Sequence, residues 1–254
     1  MQDSKIEWTN HTFNPWIGCQ KVSPGCDRCY AKTLMDDRYG RVHWGPHSER
    51  KRTSEGNWKL PLRWQKQAVT AGVRPKVFCA SLADVWDNHV PNEWRADLFE
   101  LIRQTPNLDW LLLTKRPENI AKMLPKALRG MPSWPWGNVW LGATAEDQVH
   151  YDRRWKALSK VPAAVRFISY EPALGPLNLV GDALPDWVIC GGETGSGARL
   201  LKKRWARSLL AQCQEKSVAF FMKQMTNKAE IPADLLVREY PRKPPAWSSA
   251  FGEP

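Results

Sequence analysis

A chain of 254 residues with 43% hydrophobic content carries enough apolar side chain for one large core, and this length is normal for a single α/β barrel. No apolar run reaches the roughly eighteen residues of a membrane-spanning helix, and the opening M-Q-D-S-K-I-E-W lacks the basic-then-apolar order of a secretory signal, so a soluble, cytoplasmic protein with no membrane partner is expected. A formal charge of +11 argues against a polycationic partner and for a polyanion, because lysines and arginines that neutralise phosphates bind through counterion release.

In chain order, I-E-W-T-N-H-T-F (6–13) reads as a first strand, and a cysteine-bearing stretch follows it directly. Residues 40–59 are polar, basic and without apolar period, which predicts a long surface excursion. From residue 76 onward, continuous apolar runs recur at 76–80, 110–114, 139–143, 165–170, 187–191 and 219–223, the pattern of parallel strands buried on both faces. Helical spacing fills most intervals. Trp94, Leu98, Leu101 and Ile102 mark one helix; Ile120, Met123, Leu124 and Leu128 mark another, after Pro117 and with Gly130 as its stop; a third covers 199–215, with Trp205, Leu209, Leu210 and Cys213 on one face. Residues 171–186 are too broken by proline and glycine for a long helix. The tail from about 238 is expected to be extended and to wrap the barrel. Alternating strand and helix predict an α/β fold: a partial or irregular (βα) barrel of six to seven parallel strands, one domain over 1–254.

In such a fold the site forms where the strands end at their carboxyl termini. Those ends carry Ser81 and Asp84, then Thr114, Lys115 and Arg116, then Thr144 and Glu146, then Glu171, and finally G-G-E-T-G-S-G at 191–197. Each has a structural alternative: a threonine or aspartate that caps a helix, a buried ion-pair partner, a flexible turn. The glycine-rich run is not G-x-G-x-x-G, yet backbone of this kind after a strand suits close approach of an anion or cofactor.

Cys19, Cys26 and Cys29 are spaced C-x6-C-x2-C at that same rim. In a reducing compartment such a triplet indicates metal or catalysis more than disulfides, whereas Cys190 and Cys213 lie in apolar contexts and read as core. Three thiolates leave one coordination position open. That suits a 4Fe-4S cluster with one free iron; zinc would need a fourth ligand, for which His11 or His43 is available.

A three-cysteine loop after the first strand of a βα barrel resembles the radical S-adenosylmethionine superfamily, although the commonest spacing there is C-x3-C-x2-C. The runs N-P-W-I-G-C, S-P-G-C-D-R-C-Y-A, L-T-K-R-P-E, V-W-L-G-A-T-A-E, I-S-Y-E-P-A-L-G-P and V-I-C-G-G-E-T-G-S-G-A-R are similar to a family of phage and bacterial proteins described mainly by its three-cysteine motif. The resemblance implies that Cys19, Cys26 and Cys29 hold a 4Fe-4S cluster whose free iron chelates S-adenosyl-L-methionine. Reductive cleavage would then give a 5′-deoxyadenosyl radical, with flavodoxin or ferredoxin as electron donor. It further implies cofactor contacts from Ser81, Lys115, Thr144, Glu171, Gly191, Gly192 and Glu193.

Within that superfamily a small basic barrel resembles the spore photoproduct lyases, which repair a DNA photolesion and use a cysteine and a tyrosine; Cys79 and Tyr30 are the residues here in those roles. DNA, or another nucleic acid, is the expected partner, with Arg50, Lys51, Arg52, Lys202, Lys203 and Arg204 as phosphate contacts. The alternatives are a radical enzyme that modifies a nucleic acid or nucleoside, and a non-enzymatic zinc or iron–sulfur nucleic-acid-binding module.

Overall fold

The computed structural model describes residues 1–125 and 133–242. The strands, in chain order, are β1 (His11–Phe13), β2 (Trp16–Ile17), β3 (Lys51–Arg52), β4 (Lys76–Cys79), β5 (Asp109–Thr114), β6 (Val139–Thr144), β7 (Val165–Tyr170), β8 (Trp187–Gly191) and β9 (Ala219–Gln224). The α-helices are α1 (Tyr30–Lys32), α2 (Glu55–Trp58), α3 (Leu60–Ala71), α4 (Asn92–Arg103), α5 (Ile120–Met123), α6 (Gln148–Leu158) and α7 (Lys203–Glu215). Seven strands form one parallel sheet in the order β1-β4-β5-β6-β7-β8-β9, curled into a half-barrel. The six apolar runs expected from residue 76 onward are all strands of that sheet. The first strand is shorter than its run: residues 6–10 turn instead, with Thr9 N–H bonded to Ile6 O, and only His11–Phe13 pair with β4.

Strand alternation divides the core in two. One face buries Trp8, Phe78, Leu111, Trp140, Phe167, Trp187, Ile189 and Phe221 with no helical residue among them; this is the concave lumen. The other buries Phe13, Val77, Cys79, Trp110, Leu112 and Leu141 against Trp64 and Ala68 of α3 and Leu98 and Ile102 of α4. Each large side chain so buried contributes about 1.5–3 kcal/mol, so both layers hold the sheet. Gly142 faces the lumen, where the Phe167 ring occupies the space a Cβ would need. The segment after β9 closes the lumen at its amino end. Arg238 bridges to Phe221, Glu239 O accepts from Trp187 Nε1 at 2.9 Å, and Tyr240 packs 5.3 Å from the Trp187 ring. The open mouth is therefore the carboxyl end.

The expected excursion at 40–59 is more ordered than its composition predicts. β3 pairs antiparallel with β2, Ser54 caps α2, and α3 follows, with Trp64 and Ala68 buried and Gly72 in the left-handed conformation as its stop. The helix expected after Pro117 is a 3-10 turn and the short α5. Leu124 is extended at its end ahead of Pro125, and Leu128 and Gly130 lie outside the described residues. The third expected helix is α7, which starts at Lys203. No helix forms over 171–186, in line with the proline and glycine there. The tail beyond Arg242 lies outside the described residues. Among them, no helix is long and apolar enough to cross a membrane.

Candidate functional site

The loop that leaves β1 carries all three clustered cysteines and lies across the carboxyl rim, tied to the ends of four other strands. At the end of β4, Gly18 N–H donates to Leu82 O (3.1 Å) and Tyr30 OH donates to Ser81 O (2.7 Å). From the end of β5, Arg116 donates to Gln20 O (3.2 Å) and Cys19 Sγ (3.6 Å). At the end of β6, Glu146 accepts from Gly25 N–H (3.3 Å). Beyond β8, Arg199 donates to Pro24 O (2.9 Å) and contacts Asp27 (3.3 Å).

Buried charges support these ties. Asp84 accepts from Thr114 Oγ1 and from Arg116 at 2.9 Å, and both ionic side chains are almost wholly buried. Burial and then the Asp84 charge push the Cys19 thiol up to about 11, against the pull of Arg116. Burial acts most strongly on Glu146 and would raise it, but Arg154 at 2.6 Å, Ser23 and Lys115 together outweigh it and hold that carboxyl below its ordinary value.

The cofactor-contact expectations divide on this geometry. Lys115 and Thr144 meet at the mouth, Nζ to Oγ1 at 3.4 Å, and Thr144 pairs in register with the lumen-facing Ser169. Ser81 is held by Asn14 at 3.0 Å. Glu171 forms an ion pair with Lys223 at 2.7 Å and accepts from Ser169. Glu193 is 8% exposed and enclosed by Arg199 and Arg28, so its carboxylate is taken up within the protein. Gly191 and Gly192 answer to packing: a Cβ on the first would strike Glu171, and on the second the backbone of Thr226. Asn14, Ser169, Arg199 and Lys223 were absent from the sequence-based candidates. Each lies within or beside a run that the sequence marks out: Asn14 opens N-P-W-I-G-C, Ser169 precedes Y-E-P, Arg199 follows the glycine-rich run and Lys223 ends an apolar run.

Among the described residues no three His, Cys, Asp or Glu side chains are gathered to hold a metal ion. The cysteine triplet therefore suits an iron–sulfur cluster in donor type and place but is not drawn together as its ligand set. His11 is buried in a stack on Trp64, 4.5 Å between rings, and His43 is exposed beside Asp36, so neither completes a zinc site with the cysteines.

A family model described as "Protein of unknown function (DUF5131)" matches residues 3–239, from the first turn through the segment that closes the lumen. The chain belongs to the DUF5131 family. No curated protein and no solved structure matches it.

Three expected contacts of this DUF5131 chain need correction. Arg50 is not available to phosphate: its side chain is wholly buried and ion-paired with Asp87 at 2.7 Å. Arg52 is engaged by Asp97 at 2.8 Å and lies 4.1 Å over the Trp58 ring. Lys51, Lys202, Lys203 and Arg204 are exposed, the last three lining a surface cavity of about 820 Å³ with Met225 and Thr226.

Cys79 is the third. It has no solvent exposure and belongs to the helix-side core, one alternation away from the lumen-facing Phe78, and burial raises its thiol well above the ordinary value. Cys190 lies in the same layer. Cys79→Ala is therefore expected to act as a small core truncation, lowering stability by about 1–2 kcal/mol in urea denaturation, with the reactivity of Cys19, Cys26 and Cys29 unchanged.

Proposed function

We propose that the carboxyl rim is the active site of an iron–sulfur radical enzyme of the S-adenosylmethionine type that modifies a nucleic acid or nucleoside. The observation that carries this reading is the anchoring of one three-cysteine loop to the ends of β4, β5, β6 and β8, because it concentrates the chain's metal-binding thiols at the mouth where a parallel half-barrel takes its ligands. Cluster and S-adenosyl-L-methionine, when bound, supply the radical that takes hydrogen from the substrate. Cys19, Cys26 and Cys29 would hold the cluster, after a local movement of the loop that brings them together. Lys115, Thr144, Ser169, Glu171 and Lys223 are the chain's own polar groups at the mouth. The exposed Lys202, Lys203 and Arg204 face solvent beside Thr226, at the carboxyl end of β9, and suit a phosphate backbone.

Modification is favoured over photolesion repair by the placement of the thiols. A lyase that returns hydrogen from cysteine needs a sulfur in the lumen, and Cys79 and Cys190 both point into the helical layer.

Anaerobic reconstitution with iron and sulfide tests the reading: about four irons and four sulfides per chain are expected, together with 5′-deoxyadenosine on addition of dithionite and S-adenosylmethionine. Serine at Cys19, Cys26 or Cys29 should abolish both, and stoichiometric zinc with no iron would overturn the reading. Binding to a single-stranded oligonucleotide should weaken roughly tenfold or more for a fourfold rise in salt if three phosphates are neutralised.

A further inference from the structure

The glycine-rich run after β8 is built around a charge pair. Gly195 and Gly197 take φ of +105° and +68°, backbone that L side chains rarely adopt, and the chain between them reverses so that Arg199 returns onto Glu193. Arg199 N–H and Nε both donate to Glu193 Oε2, at 2.8 and 3.0 Å, and Nη2 donates to Oε1. The turn is pinned from behind by the stretch after β9. Asn227 N–H donates to Glu193 O (2.8 Å), Asn227 Oδ1 accepts from Gly195 N–H (2.9 Å), and Thr226 Oγ1 accepts from Leu201 N–H (2.8 Å). Nη2 is shared between Glu193 and Pro24 O on the cysteine loop, and Nη1 reaches Asp27 on the same loop, while Arg28 approaches Glu193 at 3.9 Å and lies against Gly197.

We propose that Glu193 and Arg199 form a clasp that positions Cys26 and Cys29 at the rim, so that the glycine-rich turn serves the cysteine loop and not a nucleotide or cofactor. The two halves of the triplet are then anchored separately. Cys19 is held through Arg116 at the end of β5, while the Pro24–Cys26 turn is held by Arg199 from beyond β8 and by Glu146 at Gly25, and Tyr30 ties the chain just after Cys29 to Ser81. Glu193 is 8% exposed and satisfied by arginine, which makes it a positioning residue acting through Arg199.

The clasp is a matter of geometry and can be measured without a cluster; only its effect on iron loading rests on the function proposed above. The test is alkylation of the reduced, metal-free full-length chain by iodoacetamide under native conditions, read at each cysteine by mass spectrometry. Arg199→Ala is expected to speed modification of Cys26 and Cys29 about fivefold or more by removing several charge-assisted hydrogen bonds, with Cys19 unchanged and Arg199→Lys intermediate. Arg207→Ala, which removes an exposed pair with Asp234, is the control and should leave all three rates alone. If Arg199→Ala does not fold, as read by its thermal melt, Glu193→Gln is measured in its place and should show the same selective increase. Rates at Cys26 and Cys29 within about twofold of the unmutated chain would overturn the clasp. Iron loading separates the two claims. An unmutated chain that takes no iron removes the cluster while the alkylation rates still decide the clasp; normal loading with unchanged rates removes the clasp alone.

Discussion

Arg50→Ala is expected to lower the stability of the chain by about 3–5 kcal/mol while leaving the salt dependence of nucleic-acid binding as it was. Arg50 sits in a basic run, R-K-R, that reads as a phosphate-binding surface, yet its guanidinium is spent inside the protein. Nε and one terminal nitrogen hold Asp87 at 2.8 and 2.7 Å, and the other donates to Ser48 O at 2.6 Å and Gly45 O at 3.2 Å. Asp87 is itself fully buried; burial acts to raise its carboxyl, and Arg116 and Arg50 together keep it below its ordinary value. Removing Arg50 leaves that carboxylate short of counter-charge in a medium that solvates it poorly, and it releases the two carbonyls that shape residues 45–50. Against a total stability of about 5–15 kcal/mol, such a loss is large. Urea denaturation of Arg50→Ala and Lys51→Ala side by side provides the check. The exposed Lys51 should cost less than about 0.5 kcal/mol and, if it meets phosphate, should reduce the salt slope. Equal stability of the two variants would contradict the buried pair.

The contrast between Arg50 and Lys51 shows where the sequence is readable. The six runs from residue 76 onward could be assigned because a parallel strand buried on both faces is continuous in hydrophobicity, and each run sits in the sheet where expected. Strand ends follow from run ends, so Lys115, Thr144 and Glu171 fall at the mouth. Composition says less about residues 40–59, which hold β3 and α2, because their order comes from distant partners. Thr53 Oγ1 and Asn57 Nδ2 both donate to Asn14 O, and Arg52 stacks on Trp58. No local period encodes such contacts. The direction of Cys79 is set by one residue of alternation, and the six-residue interval between Cys19 and Cys26 does not show which strand end holds each part of the loop. Glycines are the hardest to assign: Gly191, Gly192, Gly195 and Gly197 answer to a carboxylate, a backbone and two left-handed turns.

The pair formed by Glu146 and Arg154 should separate folding from cluster assembly. Both side chains have no solvent exposure, the contact is 2.6 Å, and Arg154 also donates to Thr144 O at 2.8 Å. Its Nε and one terminal nitrogen find no hydrogen-bond partner among the described residues, so Glu146 is its main compensation. Glu146→Leu alone strands that cation and is expected to cost about 3–5 kcal/mol in urea denaturation, and Arg154→Met alone, which leaves the carboxylate with Gly25 N–H and His150 beside it, somewhat less. The double variant removes both charges, keeps most of the volume and should recover most of the loss, because replacing a buried pair by apolar side chains of similar size is often close to neutral. Glu146 has a second task, however, since its Oε1 accepts from Gly25 N–H in the middle of the cysteine loop. Leucine cannot accept that bond. The double variant is therefore expected to melt near the unmutated chain and still load less iron on reconstitution. Full loading at restored stability would show that Glu146 serves the core alone.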